Sequence, residues 1–300
     1  MTFKQLWELG EIYTAPLNLF LILLGASFAK GEFGVFGNWR LVIYIFTIVF
    51  FHIAVNIFNN YMDYQNASEE HDYKEASNII GREGLSLPLV KGVFYGFMAA
   101  SGLLGLILVM NTNWFLVIIG FIGYYVGLFY SAGPRPLNSL PIAETVTSIA
   151  SGFLVPFVAA YVVSFPTGEF TLSYAAQLFL VCLPPVLMMF NNLLANNTCD
   201  LKEDIVNGRK TLVYYIGQPK AVRLLQVFFL LSFGLLPVLV LLGLAPWPVL
   251  VLILLVPKLW QQLKGYFGTQ DKQKTFPLVL KSMASIMVGY PVLYFIGVLF

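Results

Sequence analysis

Two stretches of this sequence gather oxygen-bearing side chains at helical spacing. In the first, NIFNNYMDYQNASEEHDYKE from Asn56 to Glu75, Asn56, Asn59, Asn60 and Asp63 stand at i, i+3, i+4 and i+7, which puts them on one helical face. Acids continue beyond it as Glu69, Glu70, Asp72 and Glu75. In the second, NNLLANNTCDLKEDIVNGRKTL from Asn191 to Leu212, the residues Asn192, Asn196, Asp200 and Asp204 recur at steps of four, again one polar stripe. The pattern N-x-x-x-D therefore occurs at Asn59 and Asp63 and again, 137 residues on, at Asn196 and Asp200. Of the chain's 15 acids, Asp63, Glu69, Glu70, Asp72, Glu75, Glu83, Asp200, Glu203 and Asp204 lie in or beside these regions. Such density repels itself unless cations neutralise it. Each stretch alone reads equally well as a solvated helix end; the matched stripes favour a ligand. Amide and carboxylate oxygens without a His or Cys grouping suit Mg²⁺ better than zinc or iron. Magnesium commonly shares itself with a phosphate, and Arg82, Lys91, Arg135, Lys202, Arg209 and Lys210 would supply fixed positive charge for a diphosphate. The chemistry to expect is stabilisation of a departing diphosphate.

The elements that must position these residues are membrane helices. A chain of 300 residues that is 58% hydrophobic and 11% charged, with a mean hydropathy of +0.78, cannot present a soluble surface. Apolar runs fall at about 14–30, 40–62, 90–110, 114–131, 141–165, 173–197, 219–243, 247–264 and 277–300, near the ~20 residues that a spanning helix needs. The expected fold is all-α and integral to the membrane, nine transmembrane helices enclosing a central cavity within one domain, 1–300. The fourth and eighth runs are short enough to be tilted or irregular. All 5 tryptophans lie near predicted helix ends, as an interfacial belt requires. The recurring N-x-x-x-D suggests a four-helix pseudo-repeat, about 14–131 and 141–264, with a ninth helix at 277–300.

Of the 17 Lys and Arg, only Lys30 and Arg40 fall in odd-numbered connections, so the N-terminus is expected in the cytoplasm and the C-terminus outside. Both acid-rich helix ends then reach the cytoplasmic face of a cell membrane, where they would converge on one site. The N-terminal segment lacks a small-residue cleavage site after a short apolar core, so the first run is expected to be retained. A net charge of +2 with no basic cluster interleaved with aromatics argues against nucleic acid. Cys182 and Cys199 make neither a disulfide framework nor a metal spacing, and no protein partner can be inferred.

At this point the residues resemble a known family. N-x-x-x-D followed by a second acid, then N-N-T-x-D-x-x-x-D and a basic Thr-Leu stretch, are similar to the UbiA superfamily of intramembrane aromatic prenyltransferases. The forms NNYMD at Asn59 to Asp63 and NNTCD at Asn196 to Asp200, with YSAGPRPLNSLPIAE at Tyr130 to Glu144, look most like the branch that prenylates 1,4-dihydroxy-2-naphthoate for menaquinone. The resemblance covers essentially the whole chain. It implies that Asn59 and Asp63, completed by Glu69 or Asp72, hold one Mg²⁺, and that Asp200 and Asp204, supported by Asn196 and Asn197, hold another. It places Tyr130 and Arg135 near the diphosphate and the nascent allylic cation, and matches Arg209 and Lys210 to the family's basic pair. The chain departs from the family at Glu69, where Asp is usual, at Cys199, where this branch usually has Arg, and at Glu11-Ile12, where Arg-Pro commonly opens the first helix.

The implied reaction is ionisation of an allylic polyprenyl diphosphate and attack by an electron-rich aromatic carbon, with loss of CO₂ if the acceptor is the naphthoate. Tyr124, Tyr125, Phe129, Phe153 and Phe157 are candidates to line a prenyl path, though aromatics in such a chain mostly pack. His52 reads as an interhelical hydrogen bond rather than a catalyst; His71 stands in the acidic loop. Glu144 is either a loop-edge residue or a group that orients Arg135 or the acceptor. Lys258, Lys264, Lys272, Lys274 and Lys281 are expected to set topology and contact anionic lipid. Competing readings are a family member acting on 4-hydroxybenzoate, heme or a glycerol phosphate, a quinone-binding member without turnover, and a secondary transporter. A transporter would more naturally place its acids at the membrane midplane.

Overall fold

The computed structural model describes residues 1–66, 78–166 and 170–300, and these are helical, with no strand among them. In chain order the helices are α1 (Phe3–Leu9), α2 (Ile12–Phe33), α3 (Trp39–Asn66), α4 (Ile79–Arg82), α5 (Leu87–Met110), α6 (Phe115–Phe129) and α7 (Ala143–Ser164). They continue as α8 (Leu172–Cys199), α9 (Leu201–Val206), α10 (Leu212–Ile216), α11 (Gln218–Leu241), α12 (Val256–Gly268) and α13 (Phe276–Val298). Among the described residues 7 of these, α2, α3, α5, α7, α8, α11 and α13, are long and apolar enough to cross a membrane. They coincide with seven of the nine expected runs. The fourth run is the 15-residue α6, and the eighth opens as a 9-residue 3₁₀ helix, Trp247–Leu255, before α12. Pro246 caps this segment and Pro248 stands in its first turn, where the missing N–H groups would have no partner within the helix.

The chain packs as two compact units, Met1–Leu19 with Gly37–Leu137 and Phe20–Phe36 with Asn138–Phe300. In the first, Leu9, Ile53, Ala54, Ile57, Ile79, Ile80, Val90 and Phe94 form the core that joins α1, α3, α4 and α5. The short α1 starts from a capping box, in which the Thr2 hydroxyl accepts from Gln5 N and the Gln5 side chain accepts from Thr2 N. Asn78 starts α4 by accepting from Ile80 N at 2.9 Å.

In the second unit, helices approach closely where glycines allow it. A Cβ on Gly25 would lie 2.0 Å from the Pro156 carbonyl oxygen, so α2 and α7 meet backbone to backbone there. Gly152 likewise meets the backbone of Val186, joining α7 to α8. Prolines inside these helices free carbonyls that an apolar surrounding leaves unhydrated. Pro185 cannot donate to Val181 O, and the Tyr290 hydroxyl of α13 does so instead at 3.0 Å. Single π-turns at Ala150–Leu154 and Ser285–Gly289 precede Pro156 and Pro291, which absorbs the missing donors in α7 and α13.

Candidate functional site

The first acid set closes α3. Its helix carries Asn56, Asn59, Asn60 and Asp63 on one face as the spacing requires, but their tasks differ. Asn60 Nδ2 donates to Leu9 O at 3.1 Å and to Asn56 O at 3.2 Å, so this side chain ties α1 to α3. Asn56 Nδ2 donates to His52 O at 3.0 Å. His52 bridges α3 and α2, with Nε2 2.9 Å from Thr14 Oγ1 and Nδ1 3.1 Å from Asn18 Nδ2. Thr14 gives its own proton to Glu11 O, and Asn56 Nδ2 also approaches His52 Nε2, at 3.0 Å. Asn59 Oδ1 accepts from Ser131 Oγ at 2.9 Å, which links the stripe to the loop after α6. Asp63 is half-buried.

Glu11, which the spacing of the acids does not single out, belongs to the same neighbourhood. It sits at φ 45°, the left-handed region, and is the one non-glycine with positive φ among the described residues. Burial, and then the Asp63 carboxylate, push its carboxyl above the ordinary range. Glu69 and Asp72, expected to complete this set, lie outside the described residues, as does His71.

The second set spans the end of α8 and the start of α9. The expected stripe is interrupted: α8 ends at Cys199, and Asp200, at φ −90° and ψ 3°, is the hinge before α9. The i+4 bonds Asp200 N to Asn196 O (3.0 Å) and Asp204 N to Asp200 O (2.8 Å) cross the hinge, so the acids stay within one turn of each other. Asn196 Nδ2 donates to Asp200 Oδ2 at 3.0 Å. Asn197 Nδ2 donates to Glu144 Oε1 at 2.8 Å. Glu144 is fully buried in the first turn of α7, so it is neither a loop-edge residue nor solvated; it orients Asn197. Asp204 is 4% exposed, its Oδ1 lies 3.8 Å from Arg209 Nη1, and its Oδ2 is buried with no hydrogen-bond partner. Burial outweighs Arg209 and pushes the Asp204 carboxyl up to about 6.

Lys272, expected from sequence to set topology and contact anionic lipid, places its ammonium on both Asn196 Oδ1 and Asp200 Oδ2, a contact which that expectation did not include.

Arg82 is exposed and paired with Glu8 and, at 3.7 Å, Glu83. Lys91 stands on α5 with Nζ 5.3 Å from the Tyr61 ring centre. Tyr130 closes α6 half-buried, and Arg135 is exposed in the following loop. Lys202 is exposed on α9, and Lys210 is anchored by its N–H to Ser139 O at 3.1 Å, with Nζ 5.8 Å from the Tyr214 ring centre. Of the candidate prenyl-path aromatics, Tyr124 bonds Ser101 Oγ at 2.7 Å, while Tyr125 and Phe129 are exposed and stack at 4.6 Å. Phe153 and Phe157 pack edge-on against Phe179 and Phe170.

Among the described residues no three of His, Cys, Asp and Glu converge on one point, so an all-carboxylate cage is absent there. The second set nevertheless fits a hydrated Mg²⁺, which needs only one or two carboxylates plus waters and phosphate. Its donors are all oxygens, and the orphaned Asp204 Oδ2 is an acceptor that a cation would satisfy.

Three comparisons bear on this geometry. A family model described as the UbiA prenyltransferase family matches residues 18–286. The 1,4-dihydroxy-2-naphthoate octaprenyltransferase of Bacillus subtilis (strain 168) is 28% identical over 295 residues, 98% of this chain and 92% of that protein. A UbiA homolog from Aeropyrum pernix K1 superposes with a TM-score of 0.70 at 16% identity, over 94% of this chain and 97% of that one. A UbiA homolog from Archaeoglobus fulgidus bound to GPP and Mg²⁺ gives 0.64 at 14% identity, over 98% and 99%. The two structural likenesses show a common fold.

Proposed function

The chain belongs to the UbiA prenyltransferase family, and on that premise we propose that it transfers a polyprenyl group from an allylic diphosphate to 1,4-dihydroxy-2-naphthoate. The second acid set carries the reading: Asn196, Asp200 and Asp204 offer only oxygens, one of them buried and unsatisfied. Support for the acceptor comes from the Bacillus subtilis relative's name. Asp200 and Asp204, with Asn196 and Asn197, would hold one Mg²⁺, and Asn59 and Asp63, with Glu69 or Asp72, a second. When bound, the metal offsets the charge that gathers on the departing diphosphate.

This chain's own residues supply the rest. Glu144 fixes the Asn197 amide so that its carbonyl oxygen has a defined direction. Arg209, held beside Asp204, and Lys210, anchored through its backbone, present cations to diphosphate oxygens, with Lys202, Lys91, Arg82 and Arg135 as further candidates. Tyr130 would face the allylic cation with its ring. The apolar helices keep water from that cation, which water would otherwise quench. The protein is multi-pass, and the distribution of Lys and Arg supports nine spans in a cell membrane, an inside N-terminus and a cytoplasmic site.

The test is prenyl transfer by the detergent-purified chain given Mg²⁺, a long polyprenyl diphosphate and either 1,4-dihydroxy-2-naphthoate or 4-hydroxybenzoate. The expected product is the prenylated naphthoate, and chelation of Mg²⁺ should abolish it. Transfer to the benzoate alone would overturn the acceptor. Transfer to neither by folded protein would overturn the reaction.

A further inference from the structure

Lys272 lies 72 residues beyond Asp200 and outside both acid motifs, yet its ammonium reaches two of the oxygens assigned above to a metal. It does so from a built turn, residues 269–275, between α12 and α13. Asp271 Oδ1 accepts from Gln273 N at 2.9 Å and Lys274 N at 2.7 Å, and Asp271 N donates to Thr275 Oγ1 at 2.8 Å. The Thr275 hydroxyl closes the turn on Thr269 O at 2.7 Å, and Gln270 Nε2 ties it back to Tyr266 O of α12 at 2.7 Å. The base of the Lys272 side chain is thereby fixed, while its four-carbon stem, 44% exposed, remains free to swing. The Phe276 ring, 5.4 Å from Nζ, flanks it.

A lysine ammonium carries three donors and no acceptor. Two donors are spent on Asn196 Oδ1 and Asp200 Oδ2, the pair that Asn196 Nδ2 already holds together. The ammonium thus stands where a divalent cation would share those oxygens, and two cations cannot occupy one such position. A diphosphate held by such a cation would offer new anionic oxygens, toward which a flexible four-carbon stem can turn.

We infer that Lys272 is a diphosphate-binding residue that guards the second metal site. Without metal it holds Asn196 and Asp200 in register; when Mg²⁺ and the allylic diphosphate arrive, it leaves Asp200 and turns its ammonium onto the diphosphate. This rests on the metal reading above. It gives Lys272 opposite effects on the two ligands, which neither a structural lysine nor a lipid-facing one would show.

The experiment measures Mn²⁺, as a paramagnetic stand-in, by EPR of the detergent-purified chain, with and without an unreactive S-thiolo analogue of geranyl diphosphate. Lys272→Met should bind Mn²⁺ alone up to about fivefold more tightly, the span that half-exposed ion pairs cover. The same variant should bind the thiolo analogue, at saturating Mn²⁺, about tenfold more weakly, and Lys272→Arg should restore that binding. Unchanged or weaker Mn²⁺ binding by Lys272→Met would overturn the inference while leaving the metal site standing. Unchanged analogue binding would do the same. Absence of Mn²⁺ binding by the wild type would overturn both.

Discussion

Asp204 combines a buried position, an unpartnered oxygen and a carboxyl pushed up to about 6, three marks of a group that destabilises the metal-free fold. Asp204→Asn should therefore raise the melting temperature in chelator, by about 1 kcal/mol of stability, while removing both turnover and the stabilisation that added Mg²⁺ brings. Differential scanning fluorimetry with and without Mg²⁺ separates the two effects; a variant that melts lower in chelator would contradict this account. Glu144 acts one residue further out. Because it touches Asn197 and no other described partner is expected to replace it, Glu144→Ala should lower kcat about 10- to 100-fold. Glu144→Gln keeps a carbonyl oxygen for Asn197 and should recover most of that loss. The Asn196 to Asp200 pairing was legible in the sequence because i and i+4 meet on any helix. Lys272 was not, since helical period says nothing about a side chain arriving from a turn 72 residues away. Glu11 escaped for the same reason: its neighbour Asp63 belongs to another helix.

At the scale of elements, the turn 269–275 is held together by a titrating group outside the membrane helices. Backbone N–H groups of Lys274 and Gln273 hold the Asp271 carboxyl below its ordinary value. A depressed folded-state value means that this contribution is present above the unfolded value of about 3.9 and lost as pH falls through the folded one. Hydrogen exchange at Gln273 and Lys274, corrected for intrinsic rates, should accelerate below about pH 4. In Asp271→Ala it should already be fast at pH 7. Helix contacts depend on shape instead. Gly25→Ala drives a Cβ toward the Pro156 carbonyl, and since that atom is backbone it cannot rotate away. A loss of about 1–3 kcal/mol, read as a lower melting temperature, is expected. Apolar runs made most helices readable at the sequence level. Their interior events were not: the break at Asp200 has no Gly or Pro to announce it, and Pro156 and Pro291 mark where donors are missing without specifying that a π-turn absorbs the loss.

For the whole molecule, the distribution of cations makes a prediction that helix lengths alone do not. Lys30 and Arg40 flank the connection between α2 and α3, whereas Lys264, Lys272, Lys274 and Lys281 crowd the one between α12 and α13. Cationic loops stay on the cytoplasmic side. With nine crossings, Glu32 and the C-terminal Phe300 should face outward and Gln273 inward. Glu32 and Gln273 are both exposed, so a cysteine at either is open to reagent, and Cys182 is buried, which leaves only Cys199 to be replaced by Ser. In that background, a membrane-impermeant maleimide applied to intact spheroplasts should label Glu32→Cys and Phe300→Cys. Gln273→Cys should label only after permeabilisation. Seven crossings would follow if α6 and the Trp247–Leu255 segment did not span, and the parity at the C-terminus would then be the same. An added cysteine at the exposed Asn111, between α5 and α6, is the control, because three crossings put it outside with nine spans and with seven alike. Arg135, after α6, then decides, because it lies inside only if α6 crosses. Labelling of Arg135→Cys in intact spheroplasts would show that α6 does not span and would leave the loop that carries Tyr130 on the wrong side for the diphosphate.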